Sequence, residues 1–171
     1  MSHFIELDPK QLQKNPFQLI GEDWMLVTAQ KDGKANTMTA SWGGVGILWG
    51  KNIAFIVLRP QRYTKTFVDH SQKFSLSFFD DKYKKILSYL GSVSGREEDK
   101  IAKSNLTLIH ENNIPYFEEA KMSIFCKKLY VQEFQPECIL DKEIAEKWYP
   151  DKDYHTMYVG EITKILIKKE K

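Results

Sequence analysis

Apolar residues in this chain gather in short runs of strand length, punctuated by glycine, proline, asparagine and aspartate. WMLVTA (24–29) reads as a strand, KDGK as a turn centred on Asp32-Gly33, and NTMTASW, alternating with period two, as the returning arm of a hairpin. IAFIVL (53–58) is apolar without a break, as expected of a strand covered on both faces. KFSLSFF, LTLIH, KMSIFCKKLYVQEF and MYVGEITKILI supply further strands. GGVGILWG (43–50) is too rich in glycine to predict a regular strand throughout.

Helices are predicted where the period changes. Pro60 suits a first helical turn, and Tyr63, Phe67 and His70 then share a face. Asp80 or Asp81 caps a helix that turns Ile86, Leu87 and Leu90 inward and ends at Gly91. In SGREEDKIAK, Ser94 with Glu97 has the form of a capping box. DKEIAEKWY is amphipathic, and LDPKQLQKNPF predicts a short helix with Pro9 early and Pro16 at its end. With roughly seven strands following one another and about four short helices, the pattern points to an antiparallel barrel or sandwich with helices outside. No long linker or internal repeat interrupts it, so residues 1–171 read as one domain.

Composition narrows the role. Hydrophobic content of 42% and charged content of 28% are ordinary for a globular chain, and a net charge of +2 supplies no field for nucleic acid or an anionic membrane. The small basic surplus sits partly in the tail IKKEK, which reads as solvated. No apolar run reaches bilayer length, and MSHFIELDPK has no secretory character. The two cysteines, Cys126 and Cys138, form no framework and fit a reducing cytoplasm; Cys126 reads as a small hydrophobe in a strand. The histidines lack ligand spacing, and no nucleotide-binding glycine motif or nucleophile elbow is present, so no metal site is expected.

Three segments carry candidate chemistry. NTMTASWGGVG sets Asn36, Thr37, Thr39 and Ser41 along a strand before a glycine stretch, which suits a flat ligand with polar edges or a plain exposed strand. RPQRYT places Arg59 at a strand end and Arg62 at a helix start; SGREEDK repeats the theme with Arg96. Either pair of features could also be surface ion pairs and caps. Arginine usage favours an anion site. Of 25 basic residues only Arg59, Arg62 and Arg96 are arginines, and each falls at a predicted junction. Arginine offers a rigid fork that fits phosphate bidentately, where lysine offers a point charge. A phosphate site without evident acid, base or nucleophile is what a bound cofactor requires.

In this order, NTMTASWGGVG, RPQRYT, FSLSFF, SGREEDKI, CKKLY and YHTMYVGEI resemble the flavin reductase-like family of FMN-binding split barrels, its flavoredoxin-like branch in particular, from about Trp24 to Ile162. The resemblance implies a β-barrel of the split-barrel kind, a six-stranded Greek-key antiparallel barrel with short flanking helices, and a homodimer with FMN near the interface. By the same resemblance Met38, Thr39, Ala40, Ser41 and Trp42 line the isoalloxazine. Arg59, Tyr63 and Thr64 reach the ribityl phosphate with Arg62 flanking, and Ser94, Gly95, Arg96 and Lys100 close on the phosphate. His155 falls near the place where a nicotinamide docks, as a catalytic candidate or as a structural histidine. The implied activity is an FMN-dependent oxidoreductase taking hydride from NADH or NADPH and passing electrons to a small-molecule or protein acceptor. The alternative is a flavin-binding electron carrier without reductase activity of its own. A barrel for single-stranded nucleic acid is disfavoured by the near-neutral charge.

Overall fold

Residues 3–169 are described by the computed structural model. Strands β2 (Met25–Lys31) and β3 (Lys34–Ala40) form the predicted hairpin, closed by Asp32 and Gly33 at φ 49° and 75°. Positive φ at both turn residues matches the twist of the flanking strands. Strands β4 (Gly43–Leu48) and β5 (Lys51–Leu58) form a second hairpin, closed in the same way by Trp49 and Gly50 at φ 52° and 68°. GGVGILWG is thus a strand through Leu48, paired residue by residue with β5. The hydrogen-bond ladder outweighs the weak strand propensity of its glycines.

Strands β6 (Lys73–Phe78), β9 (Met122–Glu133) and β10 (Thr156–Lys168) complete a sheet ordered β3-β2-β6-β9-β10-β5-β4, every pairing antiparallel. β1 (Phe4–Leu7) extends the ladder beside the second half of β10, and β7 (Leu108–Glu111) with β8 (Ile114–Phe117) forms a separate hairpin. The two ends of the long sheet are β3 and β4, which follow one another in the chain with only Ser41 and Trp42 between them. Laid flat, seven strands would put those ends about 29 Å apart. The link from Ala40 to Gly43 reaches at most about 11 Å. The sheet therefore curls until its ends meet at this junction, giving a barrel split along the β3–β4 seam.

Alternating side chains fill the interior. Val27, Ile56, Leu58, Phe74, Leu76, Ile124 and Tyr158 form its buried centre. β10 crosses close to it at Gly160, where a Cβ would stand 2.7 Å from Cys126 Cβ and 3.0 Å from Phe74 Cζ. Cys126 is buried and free, as its setting predicts, and burial pushes its thiol pKa up. Outside the barrel lie α1 (Pro16–Gln18), α2 (Tyr63–His70), α3 (Lys84–Ser92), α4 (Lys100–Ser104) and α5 (Lys142–Trp148). Helix α3 buries Leu87 and Leu90 against Leu26, Phe79 and Phe117.

Several local expectations are corrected. Phe4–Leu7 is a strand, and Pro16 opens a helical turn, with Asn15 Oδ1 accepting from the Phe17 amide, where it was expected to end one. Pro60 lies in a β-turn in which Arg62 N–H donates to the Arg59 carbonyl at 3.1 Å, so α2 starts only at Tyr63. Ser94 accepts from the Arg96 amide in a turn, while Asp99, nearer the helical residues, caps α4. Gly91 lies inside α3, which runs one residue further to Ser92. Of the tail IKKEK, Ile167 and Lys168 belong to β10, whereas Glu170 and Lys171 lie outside the described residues. Among the described residues no helix is long and apolar enough to cross a membrane.

Candidate functional site

Where the seam meets the rim, a cleft of about 460 Å³ opens. Its floor is the end of β3 and the junction that follows: Met38, Thr39, Ala40, Ser41 and Trp42. Its far side is the end of β5 and the turn beyond, with Val57, Arg59, Gln61 and Arg62; Trp148 and His155 stand above. A volume of this order suits a drug-sized or cofactor-sized ligand. The Trp42 and Trp148 rings meet edge to face at 4.8 Å, and Trp42 lies 5.1 Å from the His155 ring. The cleft thus has aromatic walls, a floor of mostly small residues at the β3–β4 junction and cationic corners.

All three arginines converge on the Arg59–Arg62 turn. Arg59 donates from Nη1 to Asp153 at 2.5 Å and from Nη2 to the Trp148 carbonyl at 2.8 Å, with its guanidinium 5.3 Å above the Tyr149 ring. Arg62 donates to the Gly91 carbonyl at 2.7 Å. Arg96 donates to the Gln61 carbonyl at 3.2 Å while its guanidinium lies 4.6 Å from the Tyr63 ring centroid. Burial first, then the nearby Arg59 charge, lowers the Arg62 pKa, a sign that two guanidiniums share one region. Gln61 and Arg59 both donate to Asp153, which holds its carboxyl below the usual range.

His155 is buried behind Trp42, with Nδ1 2.7 Å from the Tyr149 hydroxyl. Burial, and after it the positive field of Arg59, pulls its pKa down to about 4. The ring is therefore neutral at physiological pH.

Comparison with known proteins decides the family. The profile of the family described as "Flavin reductase like domain" matches residues 18–171. The chain belongs to the flavin reductase-like family. Among solved structures, the FMN-binding domain of a flavin reductase-like enzyme from Shewanella baltica OS155 is 15% identical, with a TM-score of 0.71 over 96% of this chain and 77% of that one. Flavoredoxin from Methanosarcina acetivorans is 22% identical, with a TM-score of 0.68 over 86% and 69% of the two chains. Flavoredoxin of Desulfovibrio vulgaris (Miyazaki F) is 24% identical, with a TM-score of 0.67 over 85% and 69%. These likenesses establish the split-barrel fold. A search among curated proteins found no match. Family membership gives the chain a flavin-related redox character, as an oxidoreductase or an electron carrier.

On this flavin reductase-like barrel most of the residues singled out in the sequence divide between two places, while Thr64, Ser94 and Arg96 line neither. Met38 to Trp42, Arg59, Arg62 and His155 face the one cleft. Tyr63, Gly95 and Lys100 line a neighbouring hollow on the other side of the arginine turn. Thr64 is buried and accepts from Asn36 Nδ2, and Thr39 donates its hydroxyl to the Leu87 carbonyl. Lys100 is buried and bridges the Leu90 and Val93 carbonyls at 2.8 and 2.9 Å. Together with Arg62 on Gly91 it satisfies the C-terminal end of α3, where cations are favoured. Both Thr39 and Lys100 are thus committed to the scaffold. Sequence reasoning missed Gln61, Trp148, Tyr149 and Asp153. Trp148 and Tyr149 stood in the predicted helix DKEIAEKWY, but nothing local shows which of its residues would return to the barrel.

Proposed function

We propose that this chain, as one flavin reductase-like domain, binds FMN in the rim cleft and acts as an NAD(P)H-dependent oxidoreductase serving a second, small-molecule or protein acceptor. The observation that carries this reading is the gathering of Arg59, Arg62 and Arg96 around one turn at the edge of a cleft floored by the β3–β4 junction. The residues fit the group. Arg62 and Arg96 each direct one fork nitrogen to a carbonyl and keep further N–H groups for a phosphate. Met38 to Trp42 offer peptide groups to a ring edge, and Trp42 with Trp148 shields it from water. When bound, FMN supplies hydride and electron transfer.

Arg59 enters this reading with its fork already held by Asp153 and Trp148, which makes Arg62 and Arg96 the principal phosphate donors and Arg59 a supporting one. Gly95 and Tyr63 shape the approach from the neighbouring hollow, and Ser94 holds the turn that carries Arg96. An isologous homodimer through edge strand β4 and the turn after it accounts for the exposed apolar side chains there, with Ile47 71% and Trp49 60% accessible.

The test is anaerobic mixing of FMN-loaded protein with NADH or NADPH. Bleaching of the yellow flavin band supports the oxidoreductase. Uptake of flavin without bleaching by either donor favours the electron carrier, the reading suggested by likeness to two flavoredoxins. Failure to bind FMN overturns both.

A further inference from the structure

Tyr149 and His155 form a pair that the flavin reading does not use. The phenol oxygen of Tyr149 lies 2.7 Å from Nδ1 of His155. A hydroxyl has one proton to give, and a neutral imidazole has one nitrogen that accepts and one that donates. Among the described groups Nδ1 is the one hydrogen-bond partner of that phenol. With no other described acceptor in reach, its proton is directed to Nδ1. The imidazole then carries its hydrogen at Nε2.

The surroundings hold this arrangement. The ring touches Trp42 at 5.1 Å, Tyr149 at 5.5 Å and Phe134 at 6.3 Å, all uncharged. The charges that reach it are those of Arg59 and Arg62, which oppose a second proton, and of Asp153, which favours one. Asp153 is itself engaged by Arg59 and Gln61. Nε2 bonds to no described protein group and is not sealed from solvent, and His155 lines the cleft.

We infer that Tyr149 is a positioning residue that fixes His155 as its Nε2–H tautomer, so that His155 offers the cleft a neutral N–H donor for a carbonyl-type acceptor atom and does not deliver a proton. The role in the cleft rests on the proposed redox function; the tautomer does not.

The experiment has two arms. In flavin-free protein with 15N-labelled histidine, His155 is assigned by the signal lost in His155→Gln. Its two-bond couplings should show the Nε2–H form from about pH 8 down to about pH 5.5. Tyr149→Phe removes the donor, and its His155 signal should move toward an average of the two tautomers. An Nδ1–H pattern in the unaltered protein, titration of His155 within that range, or a Tyr149→Phe spectrum like that of the unaltered protein overturns the inference. In flavin-loaded protein, Tyr149→Phe should slow reduction by the nicotinamide donor about tenfold, the effect of one misplaced hydrogen bond. His155→Gln, which keeps an N–H donor, should retain more of that rate than His155→Ala. An unchanged rate in Tyr149→Phe with an altered tautomer overturns the role in the cleft. A protein that takes up no flavin sinks the redox reading alone, because the tautomer is read without it.

Discussion

Asp153 grips Arg59: its Oδ2 lies 2.5 Å from Nη1, and Gln61 donates to the same oxygen at 2.8 Å. Since Nη2 of Arg59 also holds the Trp148 carbonyl, one guanidinium ties the segment after α5 to the end of β5. The carboxylate also partly cancels the positive charge of the cleft. Asp153→Asn should therefore raise the preference for FMN over riboflavin, as the ratio of their Kd values by fluorescence titration. It should also increase proteolysis between 148 and 155. A ratio that falls would show that Asp153 supports the anion site and does not compete with it.

Arg62→Ala and Arg96→Ala should each weaken FMN by roughly tenfold to a hundredfold while changing riboflavin little, the range expected for a lost charge-assisted hydrogen bond. Arg59→Ala should weaken both ligands, because the Trp148–His155 wall loosens with it. Lysine at 62 or 96 should restore only part of the loss, since the fork is gone. Calorimetric titration with both flavins separates these outcomes, and equal losses for both at position 62 would remove it from the phosphate.

Acid should act through His155. Its folded pKa, about 4, lies below the ordinary histidine value of 6.5, so the unfolded chain binds more protons between those values. The stability contribution is fully present above pH 6.5 and is lost as the pH falls through 4. Urea unfolding should show a smaller loss over this range for His155→Gln than for the unaltered protein. Parallel curves would mean that the ring does not feel the burial described.

Gly160→Ala should lower stability by about 1–3 kcal/mol, because the added methyl meets packed carbon on two sides. The nearer contacts, Cys126 Cβ and Phe74 Cζ, belong to the barrel interior and have no open space to enter. Denaturant midpoints at constant slope measure the cost.

Ile47→Asp should convert a dimer to a monomer by light scattering, because it sets a charge among the exposed apolar residues of edge strand β4. An unchanged mass for a dimeric protein would place the interface on another face.

The legible parts of the fold were those governed by neighbours in sequence. Asp32-Gly33 announced its hairpin because only a turn with positive φ at both positions joins such strands so tightly. Cys126 was readable as core from its apolar strand. Strand β4 was not, because its glycines look pliable until β5 pairs with them. The helix starts at 60 and 94 failed for a related reason: proline and serine serve turns as well as helices. In the site, the floor and the arginines could be read from composition and order. Asp153 could not, because PDKDY looks like any solvent loop until the chain folds back on Arg59.

The tie at Ser41 and Trp42 gives the barrel a mechanical character. A guest resting on these residues and against Val57 and Arg59 would touch one margin of the rolled sheet and the end of β5, the strand beside the other margin, much as a rivet joins a cylinder near its open edge. Occupancy and architectural closure would then be one event, and the empty vessel and the filled one would differ first in how firmly that edge is held.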